Sequence, residues 1–132
     1  MENHAEKNIT SIIVNYKTPD LCVDCIQSML PVGSSEKSLI IVDNASRDFS
    51  VSVIKSIVKR NSWSGCQVLE SDENNGFSAG NNIGIKASSS EYVLLLNSDT
   101  LVRPGAVELL VKTLENNPKM GIASPRLEWA DG

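Results

Sequence analysis

The sequence predicts an α/β domain in which a mostly parallel sheet carries helices on both faces. Three observations lead there. Short apolar runs rich in β-branched residues alternate with segments of helical period along the chain. The runs SIIV, LIIV and VLLL are continuously apolar, the pattern of parallel strands buried on both sides. A length of 132 residues without a Gly/Ser-rich linker suits a single unit, with 1–8 as a polar tail and 9–132 as the domain.

Ile9 to Asn15 (ITSIIVN) is the first strand. Thr18 supplies an N-cap hydroxyl and Pro19 fills the first helical position, so a helix opens there. Leu21, Cys22, Cys25, Ile26, Met29 and Leu30 fall on one face of it before Pro31 and Gly33 end it. Ser38 to Val42 is the second strand. Beyond the loop Asp43-Asn44-Ala45-Ser46-Arg47-Asp48, the recurrence of Val51, Ile54, Ile57 and Val58 marks a second helix. Cys66 to Leu69 is a weaker third strand, and Asn75-Gly76 makes a turn into a helix over about residues 78–88. Tyr92 to Leu96 (YVLLL) is the most apolar strand. Pro104 starts a helix running to about Asn117, and Met120 to Ala123 is expected to form a last strand.

Composition removes several function classes. No apolar run approaches the roughly 20 residues of a bilayer span, and 1–8 lacks the basic-then-apolar layout of a secretory signal. A cytoplasmic location is therefore expected. The net charge is −4, and the 12 Lys and Arg are scattered, so there is no electrostatic footprint for nucleic acid. Cys22 and Cys25 form a C-x-x-C pair, but only Cys66 and His4 remain to complete a zinc site, and a redox pair would sit at a helix start after a strand. Buried, inert helical cysteines in a reducing compartment are the simpler expectation.

The polar residues cluster where the apolar runs stop. The strands end in Asn15-Tyr16, Asp43-Asn44, Ser71-Asp72 and Asn97-Ser98-Asp99. In a parallel sheet these are all carboxyl ends, and ligands of open α/β sheets bind outside that rim near a switch in strand order. Each residue alone is also an ordinary turn or cap former; the set makes one candidate site. Asp99 lies next to an apolar strand, where a carboxylate has a desolvation cost unless a cation or hydrogen bonds offset it. A lone carboxylate beside neutral amides suits Mg²⁺ or Mn²⁺ that takes its other ligands from water and phosphate, which implies a diphosphate-bearing ligand. Asp43 stands where a strand-end acid accepts from a base or ribose.

Gly76, Gly80 and Gly84 are spaced by four, and the last two lie on one helix face where a strand can approach closely. Packing alone accounts for them. They match neither G-x-G-x-x-G nor G-x-x-x-x-G-K-[ST], so dinucleotide dehydrogenases and P-loop NTPases lose their main support. Asn74-Asn75-Gly76 still places backbone N–H groups at a helix start, suited to an anion or a sugar oxygen.

Five motifs then occur in order: SIIVNYKTPD (11–20), IIVDNASRD (40–48), ENNGFSAGNNIGI (73–85), YVLLLNSDTLVRPGAVELL (92–110) and NPKMGIASPRL (117–127). This series resembles family 2 glycosyltransferases, and within them the rhamnosyltransferase-like branch. The resemblance implies a Rossmann-like GT-A fold and inverting transfer of a sugar, rhamnose among the candidates, from a donor such as a dTDP- or UDP-sugar to a glycan or lipid-linked acceptor. It implies that Asn15 and Tyr16 lie against the base, that Asp43 accepts from the base and Asn44 binds the donor, and that Asn75 and Gly76 line the nucleotide and sugar pocket. Asn97-Ser98-Asp99 takes the D-x-D position, so Asp99 would bind the divalent cation and Asn97 the ribose, donor or cation.

Two departures qualify the resemblance. Asn97 replaces the first acid of D-x-D, and Asn81 stands where many relatives carry an Arg. Family members also continue into a half with the acceptor pocket and an acidic general base, and Asp131 is not at a matching position. The expectation is a truncated, donor-binding half without a catalytic base, active at the cytoplasmic face of a membrane once complete. The competing expectation is a non-catalytic nucleotide-binding or assembly module that forms homo-oligomers through exposed apolar surface. A receiver or flavin domain is a third, and no acidic cluster beyond Asp43 and Asp99 supports it.

Overall fold

The computed structural model describes residues 9–30 and 38–129. The polar tail, the helix stop at Pro31 and Gly33, and residues 130–132 with Asp131 lie outside the described residues. The elements follow in the order β1 (Ile9–Asn15), α1 (Pro19–Met29), β2 (Ser38–Asp43), α2 (Ser50–Arg60), β3 (Cys66–Glu70), α3 (Phe77–Ala87), β4 (Tyr92–Asn97) and α4 (Ala106–Asn116). All strand pairs are parallel, and the sheet order is β3-β2-β1-β4. The chain steps outward from β1 to β3, then returns past β1 to β4. Right-handed crossovers in opposite directions put their helices on opposite faces, and the reversal between β1 and β4 creates the switch point.

Alternation along each strand builds two cores. Ile13, Leu39 and Ile41 face α1 and α2, meeting Cys22, Cys25, Ile26, Met29, Ile54 and Trp63. Ile12, Ile40 and Val42 face the other way and meet Ile83 of α3. Val107 and Val111 of α4 line an apolar cavity of about 80 Å³ with Met29 and Leu39, which places α4 on the α1 side at the amino ends of the strands. Both C-x-x-C thiols are in the core, as expected of inert cysteines. Burial pushes the Cys22 thiol up to about 12 and raises Cys25; Cys66 is likewise pushed up to about 12.

Several expectations are corrected. Leu21 is 46% exposed, because it lies off the buried row Cys22, Cys25, Ile26, Met29 and points toward the carboxyl rim. Thr18 precedes α1 but makes no side-chain cap bond; its Oγ1 donates to Asn15 Oδ1 at 3.4 Å. The helix expected from Pro104 begins at Ala106, after Gly105 at φ +81°. YVLLL is not covered on both faces: β4 is an edge strand, α3 sits over β1 and β2, and Leu95 remains 47% exposed. Residues 120–123 are not a strand, since no strand among the described residues pairs with them; the Met120 N–H turns back to the Asn117 carbonyl at 2.8 Å, and Ile122 is 86% exposed.

The approach of α3 to β1 depends on two glycines. A Cβ at Gly80 would stand 2.8 Å from Val14 Cγ1, and one at Gly84 would stand 2.5 Å from Ile12 Cγ2. Gly84→Ala should therefore cost about 1–3 kcal/mol in urea denaturation through overpacking, whereas Gly121→Ala, with nothing within 4 Å, should be near neutral. The raised thiol pKa values keep all three cysteines protonated at pH 8. Titration of the native protein with a thiol reagent at that pH should show no fast-reacting group, and three should appear on unfolding.

Candidate functional site

The carboxyl rim is divided by the sheet's own pleat. Successive side chains of a strand point to opposite faces, so the paired residues at each strand end go to different places. Asn15 stands opposite Asp43, and both turn to the α1 side, where they are buried. Val14 stands opposite Asn97 on the α3 side, and Tyr16 and Asn44 share that parity. A cleft of about 420 Å³ opens there, lined by Val14, Tyr16, Thr18, Leu21, Asn44, Asn74, Phe77, Asn97, Ser98 and Asp99. That volume lies in the range of small-molecule sites.

Beneath the cleft, Asp43 is only 3% exposed and its carboxylate is occupied. Asn15 Nδ2 donates to Oδ1 at 2.9 Å, Ser46 Oγ donates to Oδ1 at 2.7 Å, and the Ser46 backbone N–H donates to Oδ2 at 3.0 Å. Ser46 Oγ in turn accepts from the Lys17 backbone N–H at 2.9 Å. This network joins the β1–α1 and β2–α2 loops. It also surrounds three left-handed residues that are not glycine: Lys17 at φ 57°, Ala45 at 57° and Arg47 at 53°. Each such conformation costs on the order of 1 kcal/mol and persists only when neighbours hold it. One product of the bend is the Lys17 ammonium, 5.2 Å from the centroid of the Tyr16 ring.

The opposite wall is the turn into α3. Gly76 at φ +90° adopts a conformation other residues resist. Asn74 Oδ1 accepts from the Gly76 N–H at 3.0 Å and from Asn44 Nδ2 at 2.9 Å, while Asn44 Nδ2 also reaches the Gly76 carbonyl at 3.1 Å. Asn44 is thus locked by β2's end on one side and the turn on the other. No side chain caps α3, so its first-turn N–H groups are not consumed by a side-chain cap.

Of the residues read from the sequence, Tyr16, Asn44, Asn97 and Asp99 line the cleft. Asn15 and Asp43 lie beneath it as the network just described. Gly76 shapes the wall through its backbone. Asn75 is exposed outside the cleft, its Nδ2 3.5 Å from Glu73 Oε2, and Asn74 holds the position expected of it. Asp99 is exposed rather than desolvated, because β4 is an edge. Asn81 is a buried residue of α3 itself, its Nδ2 donating to the Phe77 carbonyl one turn back at 3.1 Å, and it does not line the cleft. Ser46, Leu21 and Phe77 are not legible as site residues in the sequence, whereas Ser98 belongs to the rim set and Asn74 to the turn read there. Strand parity with Asn97 carries a signal for Val14, whereas Ser46 acts through loop contacts that spacing does not encode.

Asp99, Asn97 and Ser98 supply one carboxylate and neutral oxygens on a single turn. Among the described residues there is no group of three or more His, Cys, Asp or Glu that would form a closed metal cage. The donor set fits a hard cation shared with oxygens of a bound ligand.

This arrangement can be compared with known proteins. Solved structures share the fold. The mannosyltransferase PcManGT from Pyrobaculum calidifontis, in complex with GDP-Man and Mn²⁺, has a TM-score of 0.68 and 19% identity over 82% of this chain and 31% of its own. Residues 1–349 of Staphylococcus aureus TarS with UDP-GlcNAc have a TM-score of 0.70 and 17% identity over 90% of this chain and 37% of theirs. The sheet and helices therefore form the Rossmann-like GT-A arrangement. In sequence, the poly-β-1,6-N-acetyl-D-glucosamine synthase of Staphylococcus epidermidis is 27% identical over 128 residues, 96% of this chain. The Staphylococcus aureus protein of the same name is 28% identical over 123 residues, 92% of this chain. The chain spans only 30% and 29% of their lengths. The family model described as glycosyl transferase family 2 matches residues 10–129, a span that includes every residue lining the cleft, and the chain belongs to that family.

Proposed function

We propose that this chain is the donor-binding part of an inverting glycosyltransferase that moves a sugar from a nucleoside diphosphate to a glycan or lipid-linked acceptor. The observation that carries the reading is the composition of the cleft: the Asp99 turn and the start of α3 line the same opening at the β1/β4 switch point. A helix N-terminus favours an anion, and a carboxylate facing it favours a cation. A diphosphate with its counter-ion satisfies both.

In this reading Tyr16, with Lys17 over its ring, provides a flat surface for the base. The Asn44–Asn74–Gly76 bonds hold the α3 turn against the phosphates. Asp99, with Asn97 and Ser98, would hold Mg²⁺ or Mn²⁺, which when bound neutralises charge on the diphosphate leaving group. Leu21 and Phe77 exclude water at the mouth, each presenting an exposed apolar side chain. Among the described residues Asp99 is the only carboxylate lining the cleft, and it is assigned to the cation. The base that takes the acceptor proton, so that its oxygen can bond the anomeric carbon as the diphosphate departs, is assigned to the part of the relatives' length this chain does not span. Rhamnose as the sugar rests on the motif resemblance; the names of the matched proteins carry N-acetylglucosamine and mannose. A cytoplasmic site of action rests on the free cysteines among the described residues.

Calorimetry with UDP, dTDP and GDP in the presence of Mn²⁺ tests the reading. One of them should bind, and Asp99→Ala should weaken that binding by about tenfold or more, as expected for loss of a charge-assisted contact. Equal affinity of the two proteins would overturn the cation assignment. Asp43→Asn behaves differently: it sets an amide against the Asn15 and Ser46 donors. It should destabilise the fold by about 1–3 kcal/mol in denaturant titrations and weaken nucleotide binding with or without Mn²⁺.

A further inference from the structure

The C-x-x-C pair has no part in the function proposed above, yet Cys25 has specific neighbours. Its Sγ lies 3.6 Å from the Asn97 carbonyl oxygen, to which it donates, and 3.8 Å from Thr100 Oγ1. The same carbonyl closes the turn that carries Asp99. It accepts from the Thr100 backbone N–H at 3.2 Å and from Thr100 Oγ1 at 2.8 Å.

Two further residues tie α1 to this segment. Thr18 Oγ1 is 3.3 Å from Ser98 Oγ. Ser28 Oγ accepts from the Val102 N–H at 2.9 Å while donating to the Cys25 carbonyl at 2.7 Å. Cys25 and Ser28 share one side of α1, and Thr18 stands just before its first residue. Residues 97–102 are thus fastened at their beginning, middle and end to α1. The Asp99 carboxylate has no hydrogen-bond partner among the described residues, so its position is set by the backbone of the turn.

We propose that Cys25, supported by Thr18 and Ser28, is a positioning residue that clamps the Asn97–Thr100 turn onto α1 and thereby sets where the Asp99 carboxylate stands in the cleft. Its consequence for ligand binding rests on the cation reading of Asp99. The thiol is neither a redox group nor a metal ligand here. It is a small buried donor where an aliphatic side chain would leave the turn without its support from below.

The test compares Cys25→Val, which removes the donor but keeps an apolar side chain of similar size, with Cys25→Ser, which keeps a donor. Two measurements are made on each: the exchange rate of the Thr100 amide, and the increase in nucleoside diphosphate affinity on adding Mn²⁺, with Asp99→Asn as reference. Cys25→Val should speed Thr100 exchange about fivefold, leave the amides of Ile12 and Ile13 unchanged, and lower the Mn²⁺ increment about fivefold without altering metal-free affinity. Cys25→Ser should restore both, which a purely packing role would not do. Unchanged Thr100 exchange in a folded Cys25→Val protein would overturn the clamp. A full Mn²⁺ increment in Cys25→Val, with the increment lost in Asp99→Asn, would overturn its bearing on the cation. If the unmutated protein shows no Mn²⁺ increment, the cation reading of Asp99 falls, and the exchange rates decide the clamp alone.

Discussion

The buried Asp43 carboxylate is the interaction on which the rim depends. Bringing it out of water is costly unless its oxygens are hydrogen-bonded, and three donors from Asn15 and Ser46 meet that requirement. Satisfying the carboxylate also joins the ends of β1 and β2, whose Asn15 and Asp43 are 28 residues apart in sequence. Hydrogen bonds to a charged group contribute about 1.5–3 kcal/mol each, enough to hold Lys17, Ala45 and Arg47 in left-handed backbone. The polar strand ends therefore do two different jobs. At the ends of β1 and β2, Asn15 and Asp43 build the foundation, and their neighbours Tyr16 and Asn44 line the cleft.

The walls of the cleft follow from close approach on one side and fastening on the other. Gly80 and Gly84 let α3 descend onto Val14 and Ile12, so the start of α3 arrives beside the ends of β1 and β2. Asn74 then ties that start to Asn44. On the β4 side the sheet ends, and residues 97–102 would be unsupported but for α1. Thr18 illustrates the competition: a residue with the chemistry of an N-cap directs its hydroxyl to Asn15 and Ser98 instead.

The strand and helix positions were largely legible because burial imposes period: SIIV and LIIV are core strands, and Cys22, Cys25, Ile26 and Met29 are the buried row of α1. Errors fell where a neighbour decides the outcome. YVLLL has the composition of a central strand, but strand order made it an edge. Residues 120–123 have strand-like composition without a partner to pair with. Leu21 is apolar at a helical spacing, but it faces the cleft rather than the core.

By itself, the sequence determined the α/β alternation, the collection of Asn and Asp at the carboxyl ends, and the family, since each rests on local pattern or on ordered motifs. The tertiary structure alone decided which member of the β1 and β2 polar pairs lines the cleft, because that depends on strand register and pleat. It also decided that Asp43 lies beneath the cleft, that Asp99 is exposed at an edge, and that Cys25 meets the Asn97 carbonyl. Those facts are distances between residues remote in sequence, set by the packing of α1 and α3 against the sheet, and no local spacing encodes them.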